Sequence, residues 1–274
     1  MGTIGKRIGF IGAGQMGSAL IRGFLEKGLF TQDEICASDP SEDRRSFMKK
    51  ECGVRVFSSN KDTMKRSDIV LLAVKPQVME QVLRDIKEHL EGRHLICSIA
   101  AGVTTEFIES RLIDGVRVVR VMPNTPSLIH QGAAAICKGT HATDHDLAIC
   151  VEMFVSVGIA VGVPEALMDA VTGLSGSGPA YCFRFVEALT EGGVMEGLPR
   201  EVAQRLAVQT VIGAAMLVSS RSKHPAELET MVTSPGGTTI QGLFALEKNG
   251  FSAAVMEAVS RATKRSRELG KSLK

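Results

Sequence analysis

Residues 7–17 read Arg-Ile-Gly-Phe-Ile-Gly-Ala-Gly-Gln-Met-Gly, a short apolar run followed by three glycines spaced as G-x-G-x-x-G. The run has the length of a buried strand, and residues 16–27 repeat apolar side chains at helical spacing. Between a strand and a helix, Gly12 permits a tight turn, Gly14 lets backbone approach a pyrophosphate, and Gly17 lets helix and strand pack closely. The stretch therefore predicts a βαβ unit that binds a dinucleotide at the helix N-terminus.

Short β-branched runs alternate with helical stretches over roughly the first 160 residues. The runs that predict strands are Ile8–Ile11, Glu34–Ser38, Val54–Phe57, Ile69–Val74, His94–Ile99 and Val116–Val121. This alternation predicts an α/β fold with a doubly wound, mostly parallel sheet. From Glu165 onward no strand is predicted, only helices cut by Gly and Pro. We therefore expect a dinucleotide-binding domain in residues 1–164 and an all-α domain in residues 165–274.

The segment Val202–Val218 is apolar on more than one side of its predicted helix. A helix that is apolar nearly all round must be buried on nearly all sides. A partner subunit is the natural cover, because a helical domain of roughly 110 residues offers few such positions. The alternative is that this helix lies at the centre of its own bundle.

Composition argues against several kinds of partner. Lys plus Arg (32) nearly balances Asp plus Glu (30), whereas nucleic acid and anionic membranes need clustered positive charge. No apolar run approaches the roughly 20 residues of a membrane span, and the strand-like start leaves no room for a signal peptide. The six cysteines contain no Cys-x-x-Cys pair and are typical of buried thiols in a reducing compartment. We expect a cytoplasmic protein with no metal site, nucleic acid or membrane partner.

Asp39 follows the last glycine of the turn by 22 residues, at the end of the second predicted strand. An acid at this position accepts hydrogen bonds from the adenosine ribose hydroxyls, which favours NAD over NADP. The neighbouring Ser38, Ser41, Arg44 and Arg45 can instead hold a 2′-phosphate if the loop folds back. Ser41 can equally be a helix N-cap, with both arginines in solvent. The sequence leaves the choice between NADH and NADPH open.

Three further segments end later strands: residues 73–76 (Ala-Val-Lys-Pro), residues 100–102 (Ala-Ala-Gly) and residues 122–126 (Met-Pro-Asn-Thr-Pro). Doubly wound sheets bind ligands at this carboxyl edge. Lys75 either reaches the cofactor or is a surface lysine. Asn124 is either an amide partner of the cofactor or an ordinary turn residue.

The second half contains one segment rich in possible ligand contacts, residues 234–239 (Ser-Pro-Gly-Gly-Thr-Thr), which opens a predicted helix. Free N–H groups and hydroxyls in a first helical turn can bind a carboxylate. Thr238 and Thr239 can also serve a second group of the same ligand. The alternative is that Ser234 or Thr238 simply caps the helix.

Together these motifs resemble the Δ1-pyrroline-5-carboxylate reductase family, whose members make proline. The resemblance covers essentially the whole chain, and its specific parts are residues 169–181 and residues 234–239. The glycine turn is shared with every Rossmann enzyme. The resemblance implies a Rossmann domain followed by a helical dimerisation domain, in a family whose members form dimers and often pentamers of dimers.

The motifs and the resemblance assign candidate site residues. NADPH or NADH is expected at Ile11, Gly12, Ala13, Gly14, Gln15, Met16, Gly17, Ser38, Asp39, Asn60, Ala73, Val74, Lys75, Pro76, Ala100, Ala101 and Asn124. The substrate is expected at Glu165, Ser234, Gly237, Thr238 and Thr239. Within that set, Glu165 is expected near the ring nitrogen and Thr239 is the expected catalytic residue. Relatives commonly carry small or polar groups where this chain has Asp39, which argues against a strict preference for NADP.

The expected reaction is hydride transfer from NAD(P)H to 1-pyrroline-5-carboxylate, the last step of proline biosynthesis. Alternatives are a reductase of another cyclic imine, a 3-hydroxy acid dehydrogenase, or a non-catalytic dinucleotide-binding dimer. The hydroxy-acid enzymes use a lysine on a helix of the second domain, but Val171–Leu198 contains no lysine. A pure sensor needs no substrate pocket, so the turn at residues 234–239 argues against the non-catalytic alternative.

Overall fold

A computed structural model describes residues 4–220 and 223–271, and its centre is an eight-stranded sheet. The strands are β1 (Ile8–Ile11), β2 (Ile35–Ser38), β3 (Arg55–Phe57), β4 (Ile69–Leu72), β5 (Leu95–Ser98), β6 (Arg117–Met122), β7 (Gly132–Lys138) and β8 (Gly158–Gly162). They lie in the order β3-β2-β1-β4-β5-β6-β7-β8, and all neighbours are parallel except β6 and β7. The expected doubly wound, mostly parallel sheet is confirmed.

The last two strands of the sheet are not predicted by the sequence. β7 begins Gly-Ala-Ala-Ala, and both residue types are depleted in strands. Its pairing with β6 and β8 outweighs this local preference. β8 starts at Gly158, whose φ is +150° and where an added Cβ would lie 1.9 Å from the Gly132 carbonyl oxygen. Glycine is required there because the two backbones approach too closely for any side chain.

Helices connect the strands and make up most of the chain after residue 177. They are α1 (Gln15–Glu26), α2 (Glu42–Cys52), α3 (Asn60–Lys65), α4 (Met79–Lys87), α5 (Thr105–Glu109), α6 (Asp144–Val155), α7 (Met168–Val171), α8 (Gly178–Met195), α9 (Arg200–Ser220), α10 (Pro225–Met231), α11 (Thr238–Lys248) and α12 (Phe251–Lys271). The expected helices at residues 16–27 and 78–90 are found as α1 and α4. The described residues after β8 form no strand, as the sequence predicts.

The sheet is buried on both faces, with alternate side chains of one strand entering different cores. In β4, Leu71 packs with Phe10 and Phe24 on one face, whereas Leu72 packs with Ile11 and Leu83 on the other. Successive side chains of a strand point to opposite faces, so a strand buried on both sides is apolar throughout. This explains why β1 and β4 appear in the sequence as continuous apolar runs.

The chain forms two compact units, which differ from the domains expected at 1–164 and 165–274. One unit is Met1–Ser177 with Ser260–Lys274, and the other is Gly178–Val259. The expectation placed the boundary where the strand pattern ends. The sheet ends near that point, but residues that follow it still pack on the sheet.

Residues after 165 belong to the first unit because they bury side chains against the sheet. Met168 of α7 is fully buried beside Cys137 of β7. Asp169 accepts a hydrogen bond of 2.6 Å from the Ser266 hydroxyl of α12. These contacts attach both α7 and the end of α12 to the first unit.

The second unit exposes large apolar side chains, above all on α9. Leu206, Ile212 and Met216 are 56%, 45% and 66% exposed, and Ala203 and Ala207 are the buried residues of this helix. The alternative that this helix lies at the centre of its own bundle is therefore wrong. Exposed apolar surface on this scale marks an association face.

The expectation that no apolar run approaches the length of a membrane span needs correction. α9 is 21 residues long and contains an 18-residue window with a mean hydropathy of 1.4, and it is the one described helix that meets the length and composition of a span. The pairs Gln204-Arg205 and Gln209-Thr210 interrupt its apolar residues, and the window passes because the rest of it is almost entirely apolar. A single such helix is weak evidence for a membrane, because a helix covered by protein has the same composition.

Candidate active site

The glycine turn has the geometry that a dinucleotide pyrophosphate requires. Gly12 has a φ of +97°, and an added Cβ would lie 2.7 Å from the Ala73 carbonyl oxygen. Gly14 is the N-cap of α1, no side chain caps that helix, and no heavy atom lies within 4 Å of where a Gly14 Cβ would be. The uncapped N–H groups and the open space beside Gly14 fit a phosphate group at the positive end of α1.

The turn lies where the order of the strands reverses. β1 has β2 on one side and β4 on the other, so the chain crosses between β3 and β4 to the far side of β1. Ala73 donates its N–H to the Ile11 carbonyl, and Gly12 donates to the Ser38 carbonyl, both at 2.8 Å. Ligands of doubly wound sheets bind at such a switch point, outside the carboxyl ends of the strands.

Polar residues at the end of β2 are connected to this turn. The Ser38 hydroxyl donates to the Asn60 side chain at 2.6 Å, and the Asn60 amide donates to Asp85 at 2.7 Å. The Asp39 carboxylate accepts the Ala13 N–H at 2.8 Å. The structure thus brings Ser38, Asp39 and Asn60 to the same edge as the glycine turn.

The other expected cofactor residues follow β4 and β5 at that edge. Lys75 is exposed and precedes a short 3₁₀ turn, Pro76–Val78, in which Pro76 takes the first position. Ala100 is buried and Ala101 half-buried, directly after β5. Small side chains here leave backbone accessible at the carboxyl edge. Their cofactor contacts stay predictions.

The amide of Asn124 is occupied by protein backbone on both sides. Its oxygen accepts the Ala133 N–H at 2.8 Å, and its nitrogen donates to the Ser175 carbonyl at 3.1 Å. The residue is buried and connects the end of β6 to the start of β7 and to a π-helical turn, Thr172–Gly176. These bonds favour a positioning role, and contact with the cofactor stays a prediction.

Glu165 lies in a cluster of polar side chains from three other elements of the chain. Its carboxylate accepts hydrogen bonds from the Arg120 guanidinium at 2.6 Å, from the Thr105 hydroxyl at 3.1 Å and from the Cys137 thiol at 2.9 Å. Burial, with the adjacent Glu165 carboxylate, raises the pKa of the Cys137 thiol well above its usual range. The thiol is therefore protonated and donates. The expected role of Glu165 beside the substrate nitrogen stays a prediction, because the structure shows only its protein partners.

Sequence reasoning missed Arg120, the only charged side chain of the described residues that is both fully buried and on a central strand. Its Nε and Nη2 atoms are buried without a hydrogen-bond partner. The available signal was an arginine placed between two apolar pairs, Val118-Val119 and Val121-Met122. A buried strand arginine needs a carboxylate partner, and here that partner is 45 residues away in the chain.

The turn at residues 234–239 opens α11 in the second unit. Gly236 has a φ of +67°, and the Gly237 N–H closes the turn on the Ser234 carbonyl at 3.0 Å. None of the described side chains caps α11, so the alternative of N-capping by Ser234 or Thr238 is wrong. Among the residues that the structure describes, the hydroxyls of Ser234, Thr238 and Thr239 make no hydrogen bond. The first N–H groups of α11 and three hydroxyls are thus available to an anionic ligand.

A phosphate-binding turn at the switch point of a parallel sheet, followed by a helical half, defines a nicotinamide-dinucleotide-dependent oxidoreductase. Two family models match the chain: "NADP oxidoreductase coenzyme F420-dependent" over residues 7–102 and "Pyrroline-5-carboxylate reductase dimerisation" over residues 165–269. The pyrroline-5-carboxylate reductase of Methanosarcina acetivorans is 50% identical, over 97% of this chain and 98% of that protein. The chain belongs to the pyrroline-5-carboxylate reductase family.

Solved structures of the family have the same fold. The reductase from Coxiella burnetii superposes with a TM-score of 0.90 at 35% identity, covering 96% of this chain and 98% of that one. The Plasmodium falciparum enzyme, solved with NADP bound, has a TM-score of 0.89 at 34% identity and covers 98% of this chain and 99% of its own.

Proposed function

We propose that this chain reduces 1-pyrroline-5-carboxylate to proline with NADH or NADPH, the last step of proline biosynthesis. The observation that carries the proposal is the uncapped start of α11 at residues 234–239, in a chain whose glycine turn is built for a dinucleotide. The substrate is a small cyclic imine with a carboxylate, so it needs an anion site and a polar group near its nitrogen.

The N–H groups at the start of α11 bind the substrate carboxylate. They lie at the positive end of an 11-residue helix, and no side chain among the described residues forms a cap there. Ser234 and Thr238 are exposed beside these groups and supply further hydroxyl donors. A substrate that is held in its reactive orientation reacts faster, because binding has already offset the loss of its translational and rotational entropy.

Thr239 holds the ring nitrogen. Its side chain is half-buried at the first turn of α11 and makes no hydrogen bond to any other described residue, so its hydroxyl is available to the ligand. A hydrogen bond from or to this hydroxyl steadies the C=N group as its carbon is reduced. The reduced nicotinamide, when bound, supplies the hydride. No strong general acid is needed, because a cyclic imine near its own pKa is already partly protonated.

The experiment that tests this role replaces Thr239 by alanine. We expect kcat/KM for the imine to fall about 10- to 100-fold, the effect of one hydrogen bond to a charged group, with dinucleotide affinity nearly unchanged. Thr230→Ala is the matched control, since that hydroxyl donates to the Ala226 carbonyl within α10. An equal loss of dinucleotide affinity in Thr239→Ala would make Thr239 structural and the assignment wrong.

We further propose that this protein works as a homodimer in the cytoplasm and that these dimers can assemble into a decamer. The match to a dimerisation family over residues 165–269 and the exposed apolar side chains of α9 support the dimer. Six free cysteines, five of them buried, support a reducing compartment. The exception is Cys182, which is exposed and departs from the expectation of buried thiols. Nearly balanced charge supports the absence of a nucleic-acid partner.

A further inference from the structure

The Asp39 carboxylate is held in a fixed position beside the phosphate-binding turn. One oxygen, Oδ2, accepts the Ala13 N–H at 2.8 Å, and the other, Oδ1, accepts the Ser41 N–H at 2.9 Å. Ala13 lies between the first two glycines of the turn, so the carboxylate is attached to the loop that receives the pyrophosphate. Its side chain is half-buried, with one side open to solvent.

This carboxylate can only accept hydrogen bonds, and it can accept more of them than the protein supplies. An ionised carboxylate offers about four lone-pair sites, and the two backbone N–H groups occupy two of them. Among the described residues no cation pairs with Asp39. A vicinal diol can therefore donate to the remaining lone pairs, whereas a 2′-phosphate would place like charges side by side.

The two nearby arginines, Arg44 and Arg45, differ in whether their guanidinium groups already have partners in the protein. Arg45 uses one guanidinium nitrogen to donate to the carbonyls of Asp39 and Pro40, both at 2.8 Å. It is thus committed to the backbone of the loop. Arg44 has no side-chain partner among the described residues. Ser41 accepts the Arg44 N–H as the N-cap of α2, which places Arg44 on the helix and not in the loop.

We propose that Asp39 makes this chain select NADH over NADPH. The inference rests on the proposed reductase function and goes beyond it by naming the form of the cofactor. Two elementary charges on a 2′-phosphate at roughly 6 Å from a carboxylate, in a water-like dielectric, correspond to a factor of about ten in affinity. The loss of hydrogen bonds from the ribose hydroxyl acts in the same direction.

The test is direct titration of the substrate-free protein with NADH and with NADPH by isothermal calorimetry. We expect NADH to bind at least about tenfold more tightly. Asp39→Ser and Asp39→Asn should bring the ratio of the two dissociation constants close to one or reverse it. Asp114→Asn removes the same charge at an exposed position far along the chain and should leave the ratio unchanged.

Wild-type protein that binds NADPH as tightly as NADH, or more tightly, would overturn the inference whatever the variants do. A ratio that stays at its wild-type value in both Asp39 variants would overturn the role of Asp39. The binding measurement is separate from the reaction. If NADH binds preferentially but the imine is not reduced, the proposed function fails and the selectivity stands; equal binding with rapid reduction gives the opposite result.

Discussion

Replacing Glu165 by glutamine should destabilise the fold measurably, because it leaves the Arg120 guanidinium without its counter-charge. The Arg120 side chain is 2% exposed and the Glu165 side chain is 30% exposed. Removing one partner of a buried ion pair typically costs about 3–5 kcal/mol. Glutamine keeps one acceptor oxygen and the site is partly open, so we expect a loss of about 2–3 kcal/mol in the free energy of unfolding.

Urea titration and thermal scans at one fixed protein concentration measure this effect, since association changes the apparent stability. The expected fall in Tm is about 5–10 °C. Glu152→Gln, an exposed carboxylate on α6 without a partner among the described residues, should stay within about 0.5 kcal/mol of wild type. Replacing both Arg120 and Glu165 by methionine should cost less than Glu165→Gln alone. A Glu165→Gln variant as stable as the Glu152 control would refute the reasoning.

Two further sites give predictions that separate binding from stability. Gly14→Ala should lower dinucleotide affinity at least about tenfold while costing under about 1 kcal/mol of stability, because the new methyl group enters the open space at the start of α1. Gly12→Ala should lower the free energy of unfolding by more than about 2 kcal/mol, because φ is +97° and the new Cβ would meet the Ala73 carbonyl oxygen. Calorimetry measures dinucleotide affinity and urea titration measures stability. Equal effects of the two variants in both measurements would contradict the assignment. Burial lowers the pKa of His94 below its ordinary 6.5, so the unfolded chain binds more protons than the folded one as the pH falls. The free energy of unfolding should therefore decrease below pH 6.5, and less so in His94→Gln; an unchanged pH dependence in that variant would exclude His94 as the cause.

The elements that sequence reasoning identified are those whose signal is local. The strand ending at Ile11, the glycine turn and α1 follow one another within 20 residues, and each glycine has its own steric reason. The uncapped start of α11 could also be anticipated as a ligand site, since Pro, Gly and hydroxyl residues cluster there. What the sequence left open was whether a side chain caps that helix, which depends on the rotamers of Ser234 and Thr238.

The features that were missed depend on contacts between distant parts of the chain. β7 is rich in alanine and becomes a strand because β6 and β8 flank it. The pairing of Arg120 with Glu165 joins residues that no local pattern connects. The packing of residues 165–177 and of the end of α12 with the sheet is of the same kind, since the strand pattern carries no sign of it.

The central claim is that this chain transfers hydride from a nicotinamide to the carbon of a cyclic imine, and isotope transfer tests it most directly. Purified protein would be incubated with 1-pyrroline-5-carboxylate and NADH carrying deuterium at both C4 positions, and the product analysed by mass spectrometry. We predict proline that contains one deuterium at C5, with one NADH oxidised for each proline formed. Formation of no proline, or of proline without deuterium, would contradict the claim.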